Sequence, residues 1–177
     1  VHQTTPQRPP SDSLVGGGTA IENLTFTLSS GSTLTGNAAA NSIRGGTGSG
    51  ADLMIGGKGN DTYFVGVNDV VQEDSLNGAD LVVSSATYTL GENIENLVLD
   101  GSSNIDGTGN SLANSITGNS GANSLDGGIG NATLTAYDTL VGGDGSDTYF
   151  VDNGNDVIIE SNADSLIGGI DLVLASA

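Results

Sequence analysis

The chain has no cysteine, so a disulfide framework and a thiolate metal site are both closed to it. It has no tryptophan and aromatic residues make up 4%, which argues against a conventional core built on large rings. The one histidine is His2, so an imidazole-rich zinc or copper site is not expected. Basic residues number 3 against 21 acidic ones, a formal net charge of −18. No nucleic-acid partner is expected, because binding one requires a basic footprint. No apolar run is long enough to span a bilayer. The 3 prolines all fall within Val1–Pro10, a polar stretch without the apolar centre of a signal peptide. Residues 1–13 are therefore read as a flexible arm or linker. Val1 stands where an initiator methionine would, which leads us to expect a fragment or a processed product.

What is abundant is glycine, 29 in 177 residues, together with 36% hydrophobic residues. High net charge with few aromatics usually goes with disorder. Here, however, the apolar residues recur at a fixed spacing, so the chain can fold if its carboxylates are neutralised. Repeats appear at two scales. Ile21-Glu22-Asn23-Leu24 returns as Ile94-Glu95-Asn96-Leu97, and Gly56–Val65 (GGKGNDTYFV) returns as Gly142–Val151 (GGDGSDTYFV). Ala79–Ala86 returns as Ile170–Ala177. We read two tandem modules, 14–93 and 94–177, with the second cut short at Ala177.

Within each module runs a nine-residue period, for example GNSLANSIT from Gly109 and GNSGANSLD from Gly118. Each unit is a turn of about six residues and a strand of about three. Glycine at the first positions permits positive φ, and Asp or Asn at position six closes the turn. An apolar residue at position eight points inward: Ile43, Met54, Tyr63, Val71, Ile116, Leu125, Leu140, Tyr149 and Ile158. Two units make one coil of turn, strand, opposite turn, opposite strand. The expected fold is all-β, a right-handed parallel β-roll (a β-solenoid) of stacked 18-residue coils. No coil can bury its apolar residue alone, so stacking is obligatory.

Gly56–Phe64 and Gly142–Phe150 both match G-G-x-G-x-D-x-U-x in full, the calcium-binding nonapeptide pattern. In these residues the sequence resembles the hemolysin-type, or RTX, calcium-binding repeats of bacterial secreted proteins. The resemblance covers roughly 36–72 and 109–159. It implies several bound Ca2+ ions, type I secretion, and folding outside the cell. The chemistry agrees. Calcium takes six to eight oxygens in flexible geometry, and a Gly-rich turn offers backbone carbonyls while position six adds a carboxylate. Turns on one side of the roll lie one strand spacing apart, about 4.8 Å, so an ion between two of them can take ligands from both. The expected pairs are Asp52 with Asp69, Asp138 with Asp156, Asp61 with Glu73, and Asp147 with Glu160. Backbone ligands are expected from the turn glycines Gly45, Gly57, Gly59, Gly128, Gly143 and Gly145. Extra residues before Asp52 (Gly50, Ala51) and before Asp138 (Ala132 to Tyr137) weigh against regular sites there.

Each of these residues also has a plainer reading. Asp caps local amides in ordinary turns. Asn41, Asn114 and Asn123 stand at position six without a charge and are read as closing their turns by hydrogen bonding alone. Asp80 and Asp171, outside a full repeat, are read as solvated turn residues.

We expect no catalysis by the chain itself: it has no H-E-x-x-H, no G-x-S-x-G and no histidine near a carboxylate cluster. The expected function is a calcium-binding structural or interaction module of a bacterial extracellular or cell-surface protein. One alternative is the non-catalytic C-terminal module of a secreted protease, lipase or polysaccharide-modifying enzyme. Another is an ice- or surface-binding adhesin segment, suggested by the Thr-Gly-Asn triplets at Thr35, Thr108 and Thr117. The expected partners are calcium, neighbouring repeats or a second copy stacked end to end, and a polysaccharide or cell surface.

Overall fold

A computed structural model describes residues 13–15, 22–25, 31–45, 50–75, 77–128, 136–160 and 168–176. Apart from Ser13, the expected arm lies outside them, as does most of the insertion before Asp138. The described residues form strands and turns with no helix. The strands are β1 (Ser13–Val15), β2 (Asn23–Thr25), β3 (Thr33–Thr35), β4 (Ser42–Arg44), β5 (Leu53–Ile55), β6 (Thr62–Val65), β7 (Val70–Gln72), β8 (Leu81–Ser84) and β9 (Tyr88–Thr89), followed by β10 (Asn96–Leu99), β11 (Gly107–Thr108), β12 (Ser115–Thr117), β13 (Ser124–Asp126), β14 (Thr139–Val141), β15 (Thr148–Val151), β16 (Val157–Ile159) and β17 (Leu172–Ala175).

Each strand pairs in parallel with the next strand but one, except that β7 does not pair with β9. The even-numbered strands form one 8-stranded sheet from β2 to β16. The odd-numbered strands face it as a 4-stranded sheet, β1 to β7, and a 5-stranded sheet, β9 to β17. This is a parallel β-solenoid. Three-residue strands suffice because only the middle residue has to be buried, and side chains alternate between faces. The pattern is intermediate–buried–intermediate in β3, β5, β12, β13 and β14. β-branched and aromatic residues favour such pleated surfaces.

The core is a single layer between the sheets. Leu34, Ile43, Met54, Tyr63, Val82, Ile94, Leu97, Ile116, Leu125, Leu140 and Tyr149 are fully buried in it. Eight of the nine position-eight residues read from the sequence are in this core, and Ile158 packs against it half-buried. The residues of the IENL stretch, Ile94 and Leu97, extend the same layer.

The coils are not uniformly 18 residues long. Ser42 lies opposite Thr62, Leu81 opposite Asn96 and Ser115 opposite Thr139, spacings of 20, 15 and 24 residues. Strand register is held by the core residue, whereas the turns lie at the surface and absorb insertions at small entropic cost. The glycine expectation also needs correcting. Positive φ falls at the second and fourth positions of the full motifs, Gly57, Gly59, Gly143 and Gly145, and at Gly128. The first glycine, including Gly45, has no left-handed φ; it is there for space.

Asn turns are closed from coil to coil as well as locally. Asn114 Oδ1 accepts the Asn110 amide at 2.7 Å, while its Nδ2 donates to the Ile94 carbonyl at 3.0 Å in the preceding coil. Asn110 Nδ2 donates to the Gly91 and Ile94 carbonyls at 2.6 and 2.7 Å. Asn123 and Asn119 repeat the scheme on the other side, reaching Ile105 and Ser103 carbonyls at 2.6 and 3.0 Å. Asn114→Ala leaves buried carbonyls and an amide unpaired and should cost about 1–3 kcal/mol in saturating calcium. Ser111→Ala, at an exposed position of the same turn, should cost almost nothing. Urea denaturation of the two variants checks this.

Candidate metal centres

The residue before each strand, position six, stacks on its counterpart one coil away, and the backbone joins them. The Asn41 amide donates to Asp61 Oδ1 at 2.6 Å and the Asp61 amide to Asp80 Oδ1 at 2.8 Å. The Asp80 amide continues the ladder to Glu95 Oε2 at 2.9 Å. On other turns Asn114 donates to Asp138 and Asp138 to Asp156, at 2.8 and 3.0 Å. Asn123 donates to Asp147 and Asp147 to Asp171, at 2.8 and 2.9 Å. Ser32, Asp52 and Asp69 form the same series at 2.7 and 2.9 Å. Each Asp thus spends Oδ1 on the preceding coil and turns Oδ2 towards the turn.

Among the described residues three groups of carboxylates result, in each of which one oxygen per residue lies within 4.8 Å of the others: Asp61, Glu73 and Asp80; Asp138, Asp152 and Asp156; Asp147, Glu160 and Asp171. The first is wholly buried; in the other two only Asp138 and Asp147 are. The four pairs expected from the sequence are all brought together. Asp52 and Asp69 form a two-carboxylate site, in which a Cβ on Gly45 would meet their Oδ2 atoms at 2.7 and 3.2 Å. Asp69 Oδ2 also accepts the Gly66 amide at 2.8 Å.

Sequence reasoning missed the third carboxylate of each group. Asp80 was read as solvated, yet it is 1% exposed. Asp171 is exposed but belongs to its group all the same. The signal was present: both residues immediately precede a strand, as Asp61 and Asp147 do, in segments that repeat each other (Ala79–Ala86 and Ile170–Ala177). Asp152 occupies a position where the full motif has glycine.

Among the described residues, four buried carboxylate oxygens have no hydrogen-bond partner: Asp61 Oδ2, Glu73 Oε2, Asp138 Oδ2 and Asp147 Oδ2. Burial raises the pKa values of these groups, and neighbouring carboxylates add to the effect. Asp61, Asp138 and Asp147 are pushed up to about 6 and Glu73 to about 7. Like charges about 4 Å apart repel by several kcal/mol at a protein-like dielectric. An orphaned, buried anionic oxygen converging with two others fits a hard divalent cation. An all-oxygen donor set in a flexible turn suits calcium better than the strict octahedron of magnesium.

The family model described as RTX calcium-binding nonapeptide repeat (4 copies) matches residues 29–63, 108–136 and 133–158. Those spans contain Asp52, Asp61, Asp138, Asp147 and Asp156, the whole of the second full motif and the first as far as Tyr63. No curated protein and no solved structure matches the chain.

Two measurements follow from this geometry. Asp147→Ala should raise the calcium midpoint of folding several-fold, and Asn123→Ala much less, because only Asp147 directs a free anionic oxygen into a group. A larger shift for Asn123→Ala would mean that the charged ladder is not the ion site. The second concerns pH in chelator. Raised carboxyl pKa values mean that protonation favours the folded state without metal. That stability is fullest below the ordinary carboxylate range, near pH 4, and is lost as pH climbs through about 6 to 7. Denaturation in chelator at pH 5 and pH 8 should show the more acidic sample to be the more stable.

Proposed function

We propose that this chain, which carries repeats of the RTX calcium-binding nonapeptide family, is a calcium-ordered structural module of a bacterial secreted or cell-surface protein, loosely folded at cytosolic calcium and locked into its roll outside the cell. Calcium is the ion these repeats bind, and a roll of them is a structural element typical of secreted proteins. The observation that carries the reading is the set of four buried, unpartnered carboxylate oxygens among the described residues, spread over three carboxylate groups. A cation between turns neutralises them and joins one coil to the next.

The magnitudes are sufficient. Extracellular calcium modules have dissociation constants of about 10⁻⁴–10⁻³ M. At ten times that constant a site adds roughly 1.4 kcal/mol to folding. The three triads and the Asp52–Asp69 pair together would add about 6 kcal/mol, comparable with a domain's net stability of about 5–15 kcal/mol.

The ice- or surface-binding reading has less support. Thr108 lies on the odd-numbered face and Thr117 on the even-numbered one. Thr117 is flanked in register by Val98 and Val141, so no threonine row forms there. Attachment to an enzyme elsewhere in the parent protein is compatible with the structural role and adds no chemistry to these turns.

Far-ultraviolet circular dichroism tests the proposal. Millimolar calcium should raise the β-signal steeply over that in chelator, and magnesium at the same concentration should restore much less. An equal β-signal in all three conditions would refute it.

A further inference from the structure

Two of the core side chains end in a hydroxyl that does not stay in the core. Tyr63 and Tyr149 occupy position eight of the two full motifs and are fully buried. Position eight elsewhere is Ile43, Met54, Val71, Ile116, Leu125, Leu140 or Ile158, so an aliphatic residue fills the layer. The phenol oxygens reach past it. Tyr63 donates to Glu73 Oε1, and Tyr149 donates to Glu160 Oε1. Both acceptors are the first residue after a strand, β7 or β16, and both belong to carboxylate triads. The Gly56 amide adds a second donor to Glu73 Oε1 at 3.2 Å, while Glu73 Oε2 is buried without a partner.

The first glycine of each motif is what makes room. A Cβ on Gly56 would collide with the Tyr63 hydroxyl, Asp61 Oδ2 and Glu73 Oε1. A Cβ on Gly142 would collide with the Tyr149 hydroxyl, and would meet Asp147 Oδ2 at 2.5 Å and Glu160 Oε1 at 2.8 Å. The same four groups converge twice, in copies 86 residues apart at the tyrosine.

We infer that Tyr63 and Tyr149 are positioning residues of the two ion sites: each hydroxyl holds a glutamate from the following turn as the third carboxylate on the cation. A glutamate at the start of a turn has freely rotating torsions and would otherwise extend into water, away from two like charges. The core hydroxyl fixes it inward. The inference rests on the calcium reading above and deepens it. These two turns become three-carboxylate sites tied to the packed layer, and Asp52–Asp69 stays a two-carboxylate site.

The test substitutes one site at a time, so the other remains as an internal control. Tyr63→Phe keeps the ring and removes the donor. Its calcium midpoint should rise about tenfold, the scale of a hydrogen bond to a charged group. Europium(III) in place of calcium reports the water molecules on the bound ion through its luminescence lifetimes in H2O and D2O. Tyr63→Phe should raise that number, which a loss of core stability alone would not. In a Glu73→Ala background, Tyr63→Phe should add little further, because there is no carboxylate left to hold. Tyr149→Phe and Glu160→Ala should behave alike. Should a variant fail to fold, the tyrosine Fermi doublet in Raman spectra of the calcium-loaded wild type still decides, since it must show phenols acting as strong donors. An unchanged water count, additive effects of the two substitutions, or phenols that are not donors would overturn the inference while calcium-dependent folding of the wild type stands. A wild type indifferent to calcium would overturn both readings.

Discussion

A parallel coil stacked on a parallel coil brings every side chain against its own counterpart, one strand spacing of about 4.8 Å away. For the aliphatic residues at position eight this self-contact is favourable, and it builds the single-layer core from Leu34 to Tyr149. For position six it is a problem. The backbone amide of one coil is bonded to Oδ1 of the next, so the carboxylates are held in line and cannot turn away. The rest of the structure depends on how that line of like charges is resolved.

The chain resolves it in two ways. Where position six is Asn, the carboxamide nitrogen donates to carbonyls of the preceding coil, as Asn114 does to Ile94 and Asn123 to Ile105. Such turns close without an ion. Where position six is Asp, no donor is available, and Oδ2 of Asp61, Asp138 and Asp147 is left buried and unpaired. An unpaired buried charge is costly enough that a group protonates or recruits a counter-charge. The upward shift of these groups to about 6 expresses the first outcome, and calcium supplies the second. The Asn114 and Asn123 turns, before β12 and β13, lie between the charged turns of Asp61 and of Asp138 and Asp147, and a further Asn turn, at Asn41, precedes β4. The excess of acidic residues is therefore placed where it works as a set of sites.

Much of this was legible in the residues, for a physical reason. The apolar residue at position eight and the glycines of the turn are local requirements that recur in every coil, so a nine-residue period exposes them. The pairs Asp61–Glu73 and Asp147–Glu160 followed from counting two units ahead. The 20- and 24-residue spacings follow from the insertions at Gly50–Ala51 and Ala132–Tyr137. What could not be read locally was the 15-residue spacing from Leu81 to Asn96, which depends on which strand meets which. Asp80 was misread as solvated because it lies outside a full repeat, and the strand register is what places it, buried, at position six. The tyrosine hydroxyls were hidden because position eight is read as apolar, and a phenol satisfies that pattern while carrying a polar end.

The central claim is that charged turns hold ions and amide turns do not. Anomalous scattering at a wavelength where calcium contributes, from crystals grown in millimolar calcium, tests it directly. The account predicts peaks beside Asp61 Oδ2, Asp138 Oδ2 and Asp147 Oδ2, and none at the Asn110–Asn114 or Asn119–Asn123 turns. Empty carboxylate groups in excess calcium, or ions seated in the asparagine turns, would contradict it.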